Sequence, residues 1–140
     1  MGTHSTIAIE LSNGQVKQIN CHWDGYIEHN GRLLNDHWVD YEKISKLMEL
    51  GDLSKLGREL GIKQNFNHPN ESWCLAYGRD RGENLTSANT FQSFDQYVHN
   101  ANFQEYNYVF VKGQWLVATF DMKFRSLKDM LEIIAVESLK

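Results

Sequence analysis

Six consecutive residues, Cys21-His22-Trp23-Asp24-Gly25-Tyr26, set a thiol, an imidazole, an indole, a carboxylate and a phenol side by side where a strand is expected to run out. Three chemistries could use such a cluster. His22 and Asp24 stand two apart, so on an extended strand they share a face, and the carboxylate could orient the imidazole for acid–base work. Cys21 as a nucleophile would need exposure and an activated thiolate, whereas its strand phase buries it. A metal site could draw on Cys21, Cys74, His22, His29, His37, His68 and His99, but no Cys-x-x-Cys or His-x-x-x-His spacing is present. Adjacent Cys21 and His22 also point to opposite sides of a strand, so no metal is expected.

A second cluster, Arg79-Asp80-Arg81-Gly82-Glu83, follows the alternating run Trp73-Cys74-Leu75-Ala76-Tyr77. If that run is a strand, Arg79 and Arg81 leave its end in phase and present two guanidinium groups to an anion. Trp23, Tyr26, Tyr77 or Trp115 could then offer a flat face to a base. The plainer alternative pairs the arginines with Asp80 or Glu83 and leaves the aromatics in the core. Ligand binding without chemistry fits these features best, and the candidate binding residues are His22, Trp23, Asp24, Tyr26, Arg79 and Arg81. No catalytic residue is assigned, since no nucleophile elbow, phosphate-binding glycine loop or dinucleotide fingerprint accompanies the His22–Asp24 pair. No cofactor is expected.

The elements that must position these groups follow from periodicity. Residues 5–11 alternate as a strand, Asn13-Gly14 reads as a two-residue hairpin turn, and a returning strand should span 15–23. Its apolar residues slip phase after Val16. A bulge near Lys17 or Gln18 would put Val16, Ile19, Cys21 and Trp23 on the core face and turn His22 and Asp24 outward. A short helix is expected over 30–38. A clearer one follows Asp40, with Tyr41, Ile44, Leu47 and Met48 at helical spacing and Gly51 at its end.

A turn of helix is expected at 52–56, loops at 61–71 and 83–90, and a helix between 93 and 102. Residues 106–111 and 114–120 flank Lys112-Gly113 as a second hairpin, pairing Phe110 with Trp115, Tyr108 with Val117 and Val109 with Leu116. Ser126 and Asp129 form the acidic version of a capping box ahead of a terminal helix striped by Leu127, Met130, Leu131, Ile134 and Leu139. The fold class is therefore α+β: one domain over 1–140, an antiparallel sheet of two hairpins plus a further strand, covered on one side by helices.

Composition narrows the function classes. A chain of 140 residues with 14 basic and 18 acidic side chains has no broad positive field for duplex nucleic acid. No apolar run is long enough to span a bilayer, and two cysteines do not make a disulfide framework, so a cytoplasmic protein without a membrane partner is expected.

At Met1-Gly2-Thr3-His4-Ser5-Thr6-Ile7, Cys21-His22-Trp23-Asp24-Gly25-Tyr26, Leu50-Gly51-Asp52-Leu53 and Gly78-Arg79-Asp80-Arg81-Gly82-Glu83, the chain resembles small accessory proteins of tailed bacteriophages. The resemblance reaches the hairpin with Tyr106-Asn107-Tyr108 and Gly113-Gln114-Trp115; at His4 and Ile27 it implies other residues in the relatives, so neither is expected as a site residue. It implies expression in the host cytoplasm and a role against bacterial defence. In that setting Arg79 and Arg81 would hold the phosphate of a small anionic nucleotide signal, Trp23 or Tyr26 would stack on its base, and a homo-oligomer is expected. The alternative of a different class is a protein inhibitor of a host defence enzyme, and a nucleotide hydrolase using His22 and Asp24 stands third.

Overall fold

The computed structural model describes residues 2–139. The chain runs β1 (Ser5–Glu10), β2 (Val16–Cys21), a π-helical turn (Ile27–Gly31), α1 (Arg32–His37), α2 (Tyr41–Leu50), β3 (Leu53–Lys55), β4 (Leu75–Ala76) and α3 (Tyr77–Arg81). It continues through β5 (Asn89–Phe91), α4 (Phe94–Asn100), β6 (Tyr106–Val111), β7 (Gln114–Ala118), β8 (Arg125–Ser126) and α5 (Leu127–Glu137). Among the described residues these make an α+β fold with one open sheet of eight strands, ordered β4-β3-β2-β1-β6-β7-β8, with β5 paired to β2 beside that path. Most pairings are antiparallel, but β1 runs parallel to β6 and β2 parallel to β3. The sheet is thus mixed rather than antiparallel throughout.

The first hairpin corrects the expected bulge. Pairing is continuous from Glu10↔Val16 to Ser5↔Cys21, with Ala8 opposite Gln18 and Ile9 opposite Lys17. Leu11 N–H donates to the Gln15 carbonyl at 2.7 Å, so Ser12-Asn13-Gly14 forms a three-residue turn with Gly14 at φ 88°. The extra residue sits in the turn, not in the strand. Ile19 and Cys21 therefore share a face with Ile7 and Ser5 as expected, while Val16 points to the other side.

That other side is also covered. One face carries Ile7, Ile9, Ile19, Cys21, Tyr108, Phe110, Trp115 and Val117 against Leu34 of α1, Ile44 and Leu47 of α2, and Leu127 and Leu131 of α5. The opposite face packs Ala8, Val16 and Val109 under Tyr97 of α4, bordered by Phe91, Phe94, Phe103 and Phe124. Helices on both faces, three on one and α4 on the other, replace the one-sided covering expected.

Several elements match their sequence signals. Asp40 caps α2 through the Glu42 N–H, Gly51 ends it at φ 77°, and Ser126 accepts from the Asp129 N–H at 3.2 Å. The second hairpin has the expected partners, with Lys112 at φ 51° and Gly113 at φ 81°, both in the left-handed region that a two-residue turn of this hand requires. Others differ. Residues 53–55 are strand, not helix; the 73–77 run keeps only two residues of strand before α3 begins at Tyr77; and Leu139 stands outside the apolar stripe, exposed.

Candidate functional site

The 21–26 segment leaves the sheet in two directions. His22 and Trp23 extend the parallel pairing with β3, their N–H groups donating to Leu53 and Ser54 carbonyls at 3.0 Å each. Asp24 then takes φ 60°, which an Asp side chain tolerates better than most, and the Gly25 N–H donates to the Thr3 carbonyl at 2.9 Å. A Cβ on Gly25 would meet Ser5 Cβ at 2.6 Å, so only glycine allows this close crossing of β1. Asn30, fully buried, ties the bend together: its amide donates to Ser5 Oγ, Cys21 Sγ and the Trp23 carbonyl at 3.4 to 3.5 Å. Tyr108 adds a 2.6 Å hydrogen bond to the Gly25 carbonyl.

This bend sends neighbouring side chains to different places. His22 lines a polar cleft of about 370 Å³, together with His4, Asn20, Asp52, Tyr77 and Arg81. Trp23 and Asp24 line a smaller cavity of about 190 Å³ with His29, Lys55, Glu71 and Trp73. The expected His22–Asp24 pair is therefore absent; nothing places the carboxylate on the imidazole. Trp23 is not core either, being 39% exposed. Tyr26 is 37% exposed, lies against His29 with ring centroids 6.0 Å apart, and is among the lining residues of neither cavity.

Three rings connect the two spaces. His4 and His22 have centroids 4.5 Å apart, and His22 and Trp23 4.9 Å apart. Burial and the neighbouring His4 both hold the His22 imidazole below its ordinary value, which favours the neutral ring at pH 7. Asp52 moves the other way: burial raises its carboxyl, only partly offset by the Asn20 N–H and amide donating to Oδ1 at 2.9 and 3.3 Å.

The two arginines also part. Both lie in α3 rather than on a strand end, because the Asp80 carboxylate reaches back to the Ala76 N–H at 2.8 Å and starts a helical turn there. Arg79 faces inward, donating to the Leu60 and Cys74 carbonyls at 2.8 Å each and to Asp80 at 2.9 Å. Burial alone would raise the Asp80 carboxyl, but Arg79 and the Ala76 and Gln64 N–H groups outweigh it and hold it below its usual range. Arg79 is thus a staple for the loop that crosses 60–64, not an arm toward an anion. Arg81 turns outward to the cleft, its guanidinium 4.8 Å from the Tyr77 ring centroid and 4.6 Å from that of Phe66, and pairs with Glu83.

Both thiols are buried, Cys21 at the cleft lining and Cys74 beneath the 57–60 loop, and burial chiefly pushes Cys21 up to about 12 and Cys74 to about 11, which favours the protonated thiol. Trp115, offered as a stacking face, is core, and its indole N–H donates to the Trp38 carbonyl at 2.8 Å. Among the described residues no three His, Cys, Asp or Glu side chains are grouped to hold a metal ion, and no helix is long and apolar enough to cross a membrane.

Sequence reasoning missed His4, Asn20, Asp52 and Gln104 as cleft residues. Gln104 is placed by Asn107, which accepts from its N–H and donates to its carbonyl, both at 2.9 Å. No spacing in the chain signals these groups, since they come from four separate segments. Comparison with protein-family models, with curated proteins and with solved structures finds no match to this chain.

Proposed function

We propose that this protein binds a small anionic nucleotide-type ligand in the polar cleft and sequesters it without chemistry, as a phage counter-defence protein acting in the host cytoplasm. The observation that carries the reading is Arg81: a guanidinium stacked on Tyr77 and Phe66 at a cleft of about 370 Å³, within the size range of small-molecule sites. Stacking fixes the plane of the fork, and Glu83 uses only part of its five donors. A phosphate taking the remaining donors would share the cleft with His22 and His4. The host setting comes from the resemblance described above.

The test is a thermal-shift panel of nucleoside mono- and diphosphates, cyclic oligonucleotides and ADP-ribose, with recovery of the ligand after denaturation. A ligand at 100 times its Kd stabilises by about 2.7 kcal/mol, a readily measured rise in Tm. Intact ligand and loss of the shift in Arg81→Ala are the expected results. Altered ligand would make the protein a hydrolase.

The absence of any shift would favour the second reading, a protein inhibitor of a host enzyme. Its support is an exposed apolar groove in which Val39, 66% accessible, and Tyr41 lie with Leu11 and Phe110 at the turn ends of the two hairpins. A homo-oligomer belongs to the same proposal, supported by exposed Ile133 and Val136 on α5 and tested by light scattering.

A further inference from the structure

We infer that the smaller cavity is a base subsite that selects guanine over adenine, an inference that rests on the nucleotide reading of the polar cleft. At about 190 Å³ it falls below the roughly 300 Å³ where whole small-molecule sites begin, so it suits one part of a larger ligand. A row of packed rings links it to the polar cleft, His4 and His22 lining the cleft and Trp23 this cavity.

Its lining has the groups a guanine would need. Trp23 and Trp73 supply two indoles, each backed by a glycine: a Cβ on Gly2 would meet Trp23 Cε3 at 2.5 Å, and one on Gly61 would meet Trp73 Cδ2 at 2.5 Å. The close approach of each glycine leaves no room for a side chain on that side of the indole, and stacking on an indole by itself tolerates any base. Selection comes from the charged groups. Asp24 and Glu71 are acceptors only, and guanine is the purine that offers adjacent N–H donors on its Watson–Crick edge, at N1 and N2. Lys55 is a donor, and guanine O6 and N7 are the acceptors that lysine recognises on the opposite edge. Adenine presents an acceptor at N1, which would face a carboxylate unpaired, and an amino group where Lys55 needs an acceptor.

The experiment follows tryptophan emission while GDP, ADP, guanosine and pyrophosphate are titrated in turn, with Asp24→Asn and Glu71→Gln as variants. Asparagine is chosen at 24 because it also tolerates the left-handed backbone there. GDP should quench and bind about tenfold or more tightly than ADP, since one good paired contact discriminates by that factor. Each variant should reduce that preference, weakening GDP by loss of a carboxylate acceptor and strengthening ADP by giving adenine N1 an amide donor. Equal affinity for GDP and ADP, or a preference intact in both variants, would overturn the guanine assignment and leave the nucleotide reading standing. Guanosine binding as tightly as GDP would retain the base subsite and remove the anion cleft. No response to any of the four would overturn both.

Discussion

Arg79 and Arg81 lie two residues apart in the same short helix, yet one is spent on the fold and the other stands at the cleft. Arg79 is 17% exposed and its partner Asp80 has a side chain wholly out of solvent, with every carboxylate oxygen engaged. Arg81 is about half exposed, braced by aromatic faces and a single carboxylate. Like charges at like spacing thus serve different ends, and what separates them is the loop 60–64, which closes over one and not the other. The carboxylates repeat the contrast: Asp80, on the inner side, is held below its ordinary value, while Asp52, in the cleft, is raised.

The sharpest way to break this contrast is Arg79→Ala, which strands a buried carboxylate and should cost about 3 to 5 kcal/mol in urea unfolding. Arg79→Lys should rescue only part of that, because a single ammonium cannot reach two carbonyls and a carboxylate together.

Acid titration comes next. A carboxyl held below its unfolded value of 3.8 binds fewer protons folded than unfolded, so the stability from Asp80 is present above that value and lost as pH falls through the depressed folded one. Asp52 has the opposite sign, its contribution being present below 3.8 and lost as pH rises through its raised value. Tm measured across acid pH should therefore lose part of its steep fall in Asp80→Asn, whereas Asp52→Asn should raise Tm near neutrality.

Smaller effects separate the outer groups. Trp23→Ala should cost about 1 kcal/mol, well short of the roughly 3 to 5 expected of a core tryptophan, and should be read by thermal melting. Arg81→Ala should shift stability by no more than about 1 kcal/mol while removing the ligand-induced rise in Tm, and Glu83→Gln should tighten nucleotide binding by freeing the guanidinium. A large stability loss in Arg81→Ala would erase the distinction between the two arginines.

The second hairpin was readable because Lys112-Gly113 permits one turn geometry and the alternation on both arms agrees with it. The first hairpin was readable as a hairpin but not in its register, since Asn13-Gly14 fits either a two- or a three-residue turn and alternation fixes register only when one face alone is buried. With helices on both faces, Val16 is at home on either, so its phase carries no register information. The helix at Tyr77 was hidden for a related reason: Trp73, Leu75 and Tyr77 alternate, but the Asp80 carboxylate at the Ala76 N–H outweighs that pattern. Burial of Cys21 followed correctly from phase; exposure of Trp23 did not, because β2 ends at Cys21 and the chain turns at Asp24. The cleft itself was illegible, being assembled from segments whose proximity depends on sheet order.

The parallel pairing of β1 with β6 has a consequence for synthesis. Thr6 and Asn107, hydrogen-bonded in the buried sheet, are 101 positions apart, an interval that takes a ribosome about 5 to 20 s to cover. For that time the nascent strand Ser-Thr-Ile-Ala-Ile at 5–9 has an edge with no native neighbour, and its β-branched, uncharged makeup invites pairing with other chains. Yield in the cell should accordingly depend on how fast translation delivers the last third and on chaperone occupancy of that early segment, more than on the equilibrium stability of the finished molecule.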